Sequence, residues 1–95
     1  MGDILIVDDD PDVRTLLRDL LEIEDHEVRE AADGPAALEQ VRAQAPDCVV
    51  LDVMMPGMSG LDVLRAIRAA PDTKDLPVIL LTAAGDDETT WAGWT

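Results

Sequence analysis

Aspartate side chains follow two of the most hydrophobic stretches of this sequence. Asp8 and Asp9 come directly after "ILIV" (residues 4–7), and Asp52 comes directly after "CVVL" (residues 48–51). Two carboxylates about 4 Å apart repel each other by roughly 1 kcal/mol in water and roughly 4 kcal/mol at the effective dielectric of a protein surface. A Mg²⁺ ion would relieve this repulsion, and it would bring a phosphoryl group close to an aspartate able to act as nucleophile.

The hydrophobic pattern predicts the elements that would position these acids. The apolar runs "ILIV", "CVVL" and "PVILLT" have strand length, and they alternate with stretches of helical spacing. A weaker, charged stretch, "HEVREAA", is typical of a strand at a sheet edge. This alternation predicts an α/β fold with an open, doubly wound parallel sheet, in which ligands bind at the carboxyl ends of the strands. If the strands before Asp8 and Asp52 are neighbours, these acids and Thr82 converge on one crevice.

Helix boundaries and helix faces also follow from the sequence. Asp10 is placed to cap the first helix, whose first turn holds Pro11. The third helix begins from Ser59, and a fourth is predicted to begin near Asp86. The apolar residues expected to face inward are Val13, Leu16, Leu17, Leu20 and Leu21 in the first helix, and Leu61, Leu64 and Ile67 in the third.

The composition limits the class of protein. The 95 residues carry a net charge of −14, from 21 acids against 7 bases. Such a surface disfavours nucleic acid and anionic membrane, and it favours cations and basic partners. Cys48 is the single cysteine, which excludes an internal disulfide. With no basic leader and no long apolar segment, we expect one cytoplasmic domain over residues 1–95.

Three stretches resemble the receiver domain of two-component response regulators. They are "ILIVDDDPDVRTLLRDLLE", "PDCVVLDVMMPGMSGLDVLRAIR" and "LPVILLTA", and the resemblance runs from Asp3 to about Ala84. It implies strand order 2-1-3-4-5 and a signalling domain, rather than an enzyme, that switches conformation when Asp52 is phosphorylated. The donor would be a sensor histidine kinase or a phosphotransfer protein, chosen partly by the exposed face of helix one, with Arg14 and Arg18.

The resemblance also implies the roles of the site residues. Asp9 would coordinate Mg²⁺ directly, and Asp8 would hold it largely through water. Asp52 would be both a ligand and the phosphoacceptor, and the backbone carbonyl of Met54 would complete the set of protein ligands. Thr82 would form a hydrogen bond with a phosphoryl oxygen and act in the switch.

This sequence departs from the family pattern at its end. The resemblance implies a fifth strand with a lysine that pairs with the phosphate and an aromatic switch residue, but the chain stops at Thr95. Lys74 does not match that lysine. We therefore expect a receiver truncated before strand five. Its fourth strand, residues 78–82, or its segment with Trp91 and Trp94 would then pack on a second copy.

Two other functions remain open from the sequence. An aspartyl-phosphate hydrolase of the haloacid dehalogenase type would use Asp8 and Asp10 as its D-x-D motif, but that interpretation leaves Asp52 without a role. A binding module with the receiver fold but no phosphorylation would use none of these acids for chemistry.

Overall fold

Four parallel strands alternate with three helices in the part of the chain that the computed structural model describes, residues 2–81. The elements are β1 (Asp3–Val7), α1 (Pro11–Ile23), β2 (Glu27–Ala31), α2 (Gly34–Ala43), β3 (Cys48–Asp52), α3 (Gly60–Ala69) and β4 (Val78–Leu81). No helix among these combines the length and apolarity needed to cross a membrane. The predicted fourth helix, with Trp91 and Trp94, lies outside the described residues.

The sheet order is β2-β1-β3-β4, with every neighbouring pair parallel. The predicted α/β fold and the order of its first four strands are therefore confirmed, and β2 lies at an edge as its charges indicated. Val7 pairs with both Ala31 and Leu51, so β1 and β3 end at the same level of the sheet. This register places the residues that follow the two strands side by side.

Both faces of the central strands are buried, which explains their continuous apolar sequences. Leu5, Val7, Val49 and Leu51 belong to the main hydrophobic cluster with residues of α2 and α3. The alternate residues of β1 and β3 point to the opposite face, where α1 contacts β1 and β2. Ile6 on that face is completely buried.

Helix α1 packs against the sheet along a narrower face than predicted. Its N-cap is Asp10, as predicted, but none of its residues is buried. Val13, Leu17 and Leu21 are half-buried, whereas Leu16 and Leu20 are 59% and 53% exposed. The inward orientation predicted for Leu16 and Leu20 is therefore wrong. The row of Val13, Leu17 and Leu21, spaced at i, i+4 and i+8, contacts the sheet, whereas Leu16 and Leu20 belong to the neighbouring row, which faces away from it.

Helix α3 begins with a capping box in which the side chains of Ser59 and Asp62 satisfy each other's backbone N–H groups. Val63 and Ile67 are buried against the core, but Leu61, predicted to face inward, is 41% exposed. The reason is the close approach of Gly60 to β3, which fixes the rotation of the helix. Residues three and seven positions after Gly60 then face the core, and Leu61 is turned aside.

Candidate functional site

The carboxylates of Asp8, Asp9 and Asp52 meet at the carboxyl ends of β1 and β3. Each offers a ligand oxygen, and these three atoms all lie within 4.8 Å of one another. Asp8 is only 5% exposed, Asp52 is half-buried and Asp9 is exposed. The structure therefore brings together the three acids that were predicted to converge. The burial of Asp8 shows that the cluster extends below the surface.

Backbone contacts fix the position of Asp8 and the start of α1. The Asp8 N–H donates to the Ala31 carbonyl at 3.2 Å, which continues the pairing of β1 with β2. One oxygen of the Asp8 carboxylate accepts a hydrogen bond from the Asp10 N–H at 2.9 Å. The Asp10 side chain in turn caps α1 by accepting from the Asp12 N–H. Asp10 thus has a structural role, and the carboxylate cluster contains Asp52 rather than Asp10.

Asp52 is the last residue of β3, and its carboxylate accepts a hydrogen bond from the Met54 N–H at 3.1 Å. The structure thus places Met54 beside Asp52 through its amide, while its side chain is 65% exposed. The role predicted for the Met54 carbonyl stays a prediction. Thr82 lies outside the described residues, although Leu81, which precedes it, pairs with Asp52 across the sheet.

The loop after Asp52 is held at several points. The Gly60 N–H donates to the Val53 carbonyl at 3.1 Å, and a Cβ atom on Gly60 would collide with the backbone carbonyl of Asp52. Met55 is buried in the core. Met58 packs on Gly34, where an added Cβ would lie 2.7 Å from the Met58 sulfur. These contacts join residues that are far apart in the sequence, so the sequence pattern does not reveal them.

The electrostatics of the cluster are unfavourable to three negative charges. Burial raises the pKa of Asp8 above its ordinary value, and the nearby charges of Asp9 and Asp10 raise it further, against the opposing hydrogen bond from the Asp10 N–H. Burial also raises the pKa of Asp52, and the Met54 N–H opposes that rise. The charges of Asp8 and Asp9 add to it. A bound cation would remove this penalty.

These oxygen atoms suit a hard divalent cation. Mg²⁺ favours carboxylate oxygens, and it is held by one or two of them together with several waters and phosphate oxygens. A second concavity, of about 350 Å³, lies between α2 and α3 and contains none of the three aspartates. The acidic cluster at the carboxyl ends of β1 and β3 is therefore separate from that cavity.

Known proteins are similar to this chain in sequence and fold. The family model described as the response regulator receiver domain matches residues 4–94. The transcriptional regulatory protein AfsQ1 of Streptomyces coelicolor is 46% identical over 87 residues, which are 92% of this chain and 37% of AfsQ1. The chain thus spans little more than a third of the length of that curated relative.

Solved structures give the same result. The N-terminal domain of a response regulator receiver protein from Methanoculleus marisnigri superimposes with a TM-score of 0.85 at 36% identity, covering 94% of this chain and 74% of that one. The response regulator TrrA from Thermotoga maritima, in complex with Mg²⁺ and BeF, gives a TM-score of 0.82 at 44% identity, covering 90% and 72%. Together with the family match, these similarities show that the chain belongs to the response regulator receiver domain family.

Proposed function

We propose that this receiver domain accepts a phosphoryl group on Asp52 in a Mg²⁺-dependent reaction and signals by a change of conformation. The donor is the phosphohistidine of a sensor histidine kinase or of a phosphotransfer protein. The observation that carries this proposal is the cluster of Asp8, Asp9 and Asp52, with ligand oxygens within 4.8 Å of one another at the end of β3.

The resemblance to receiver domains implies a different role for each residue of the site. Asp9 is exposed and provides a direct ligand for the cation, whereas the buried Asp8 acts largely through water. Asp52 and the Met54 carbonyl complete the protein ligands, and Thr82 contacts the transferred group. The similar response regulator TrrA is in complex with Mg²⁺ and BeF, which supports a Mg²⁺ site in this chain. When bound, Mg²⁺ supplies positive charge that offsets the charge developing on the phosphoryl oxygens.

The transfer itself needs one nucleophilic oxygen and little other chemistry from the protein. A carboxylate oxygen of Asp52 attacks phosphorus in line with the phosphorus–nitrogen bond of the phosphohistidine. A phosphorus–oxygen bond forms to Asp52, and the electron pair of the broken bond returns to the imidazole nitrogen. The Met54 N–H orients the Asp52 carboxylate for this attack, because it donates a hydrogen bond to one of the two carboxylate oxygens.

A small phosphodonor tests this function without a cognate kinase. Incubation with acetyl phosphate and Mg²⁺ should add one phosphoryl mass, and peptide mapping should locate it on Asp52. Asp52→Asn should abolish the addition, while Asp33→Asn, which changes an exposed acid that caps α2, should not. Modification at Asp8 would support the hydrolase instead, and a persistent lack of modification would support the binding module.

We also propose that a second copy of the chain pairs with β4 or with the segment that contains Trp91 and Trp94. Within residues 2–81, β4 is the last strand of the sheet and pairs only with β3. Its Val78 and Leu80 side chains are buried, while Ile79 is half-buried. An apolar edge of this kind is a template for another strand.

A further inference from the structure

Arg14 lies on α1, but its side chain turns inward towards the end of β1. The guanidinium Nη1 donates to the backbone carbonyl of Asp8 at 2.7 Å, and Nε donates to Glu30 Oε1 at 2.9 Å. The side chain is 18% exposed. The predicted exposure of Arg14 on helix one is therefore wrong, while the role of that helix face in the choice of kinase stays a prediction.

Glu30, which accepts a hydrogen bond from Arg14, is itself held by several other contacts. The other carboxylate oxygen of Glu30 accepts from Arg18 Nη1 at 2.5 Å, and the Glu30 carbonyl accepts from Gln40 Nε2 at 2.7 Å. Glu30 also belongs to β2, whose next residue, Ala31, accepts the Asp8 N–H. The backbone of Asp8 is thus tied to β2 directly at its N–H and through Arg14 at its carbonyl.

The carbonyl that Arg14 holds belongs to the peptide group between Asp8 and Asp9. Because a peptide group is planar, the orientation of this carbonyl fixes the directions of the two Cα atoms that flank it. Those atoms carry the two carboxylates that meet Asp52. A change at this carbonyl therefore changes the separation of the ligand oxygens, although Arg14 touches none of them in the described contacts.

We propose that Arg14 is a positioning residue for the carboxylate cluster, holding the Asp8–Asp9 peptide so that both side chains face Asp52. The inference rests on the proposed function, because Mg²⁺ affinity is the measurement that reports the geometry of the cluster. Residues that orient metal ligands from outside the ligand set commonly change affinity by about 10-fold to 100-fold when they are replaced. Since Arg14 acts through the backbone, the effect belongs at the lower end of that range.

Arg18 provides a matched control on the same helix. It shares Glu30 with Arg14, but its Nη2 donates to the Val28 carbonyl at 3.0 Å instead of to Asp8. Replacement of either arginine by glutamine removes one positive charge and one contact with Glu30. Arg18→Gln also loses the contacts with Glu22 and the Val28 carbonyl, but only Arg14→Gln loses the link to Asp8. Weaker Mg²⁺ binding by Arg14→Gln than by Arg18→Gln therefore reports that link.

The experiment measures Mg²⁺ affinity by calorimetry and the backbone amide shift of Asp9 by NMR, for wild type, Arg14→Gln, Arg14→Lys and Arg18→Gln. We expect Arg14→Gln to raise the Mg²⁺ Kd about 10-fold, equal to about 1.4 kcal/mol, and to move the Asp9 amide in the metal-free protein. Arg18→Gln should change the Kd less than about 2-fold. Lysine at position 14 keeps the charge but not the two-pronged contact, so its Kd should lie between those of wild type and Arg14→Gln.

Failure of the inference is distinguishable from failure of the proposed function. If wild type binds no Mg²⁺, the proposed function is wrong and the inference with it. If wild type binds but Arg14→Gln and Arg18→Gln have the same Kd, the positioning role is wrong. A Kd for Arg14→Gln equal to that of wild type would also overturn it. Should Arg14→Gln not fold, Arg14→Lys and Arg18→Lys give the same comparison.

Discussion

Removal of the buried charge at Asp8 should stabilise the domain when no divalent cation is present. At 4.8 Å, the outer limit of separation of the ligand oxygens, two unit charges repel by about 3.5 kcal/mol at an effective dielectric of 20 and by about 0.9 kcal/mol in bulk water. Asp8 is 5% exposed, but Asp52 is half-buried and Asp9 exposed, so the repulsion lies between these limits.

Asparagine at position 8 removes this repulsion and keeps an oxygen that can accept from the Asp10 N–H. The hydrogen bond loses its charge, which offsets about 1 kcal/mol of the gain. We therefore expect Asp8→Asn to raise the free energy of unfolding by about 1 kcal/mol, or the Tm by about 4 to 8 °C for a domain of this size. Thermal unfolding followed by circular dichroism in EDTA measures the change.

Added Mg²⁺ should raise the Tm of wild type above that of Asp8→Asn. Binding to the native state alone stabilises it by about 2.7 kcal/mol when the cation is present at 100 times its Kd. Wild type has the full set of proposed ligands and should gain more than Asp8→Asn. The control is Asp19→Asn, which removes one charge from an exposed position on α1 and should leave both results unchanged.

The pH dependence of stability provides an independent test of the same prediction. Because the folded-state pKa of Asp8 is raised above 3.8, the native state holds its proton more tightly than the unfolded state does. The metal-free wild type should therefore lose stability as pH rises from about 3.8 through the raised pKa. The advantage of Asp8→Asn should disappear at lower pH. A Tm for Asp8→Asn below that of wild type in EDTA at neutral pH would refute this reasoning.

Three other predictions follow from the loop after β3 and from the edge of the sheet. Gly60→Ala should cost about 2 to 4 kcal/mol of unfolding free energy in denaturant titrations, because its Cβ meets the Asp52 backbone and not a side chain that can move. Gly34→Ala should lower the free energy of unfolding by about 1 kcal/mol. Adding Met58→Ala should recover most of this loss, because it removes Met58 Sδ and Cγ, two of the three atoms nearest to the new Cβ. An equal cost of Gly34→Ala with Met58 and with Ala at position 58 would contradict this contact. If β4 or the segment with Trp91 and Trp94 pairs with a second copy, sedimentation velocity should show concentration-dependent dimers, and a constant monomer mass at micromolar concentrations would exclude them.

The fold and the acidic cluster were accessible from sequence because they depend on local patterns. Buried parallel strands are continuous apolar runs, as in "ILIV" and "CVVL", and the acid after each run must lie at the carboxyl edge of the sheet. The caps at Asp10 and Ser59 are also local signals, since each accepts from a backbone N–H two or three residues away. These features need no knowledge of distant contacts.

The errors concern features set by residues far apart in the sequence. The exposure of Leu61 depends on how closely Gly60 approaches β3, and the exposure of Leu16 depends on where α1 lies across the sheet. Arg14 turns inward because Glu30 and the Asp8 carbonyl are there to receive it. A helical pattern gives the row of residues on a face, but the partner of that face is a tertiary property.

The absence of a buried residue in α1 has a consequence for hydrogen exchange. Local opening of an element costs less when few of its apolar side chains leave the core, so the amides of α1 should exchange faster than those of α2 and α3, which contain buried residues. Opening of α1 also separates Arg14 from the Asp8 carbonyl. A cation that requires this carbonyl in place therefore acts against the opening, and α1, which contributes no ligand to the cluster, becomes the helix whose exchange rate reports whether the site is filled.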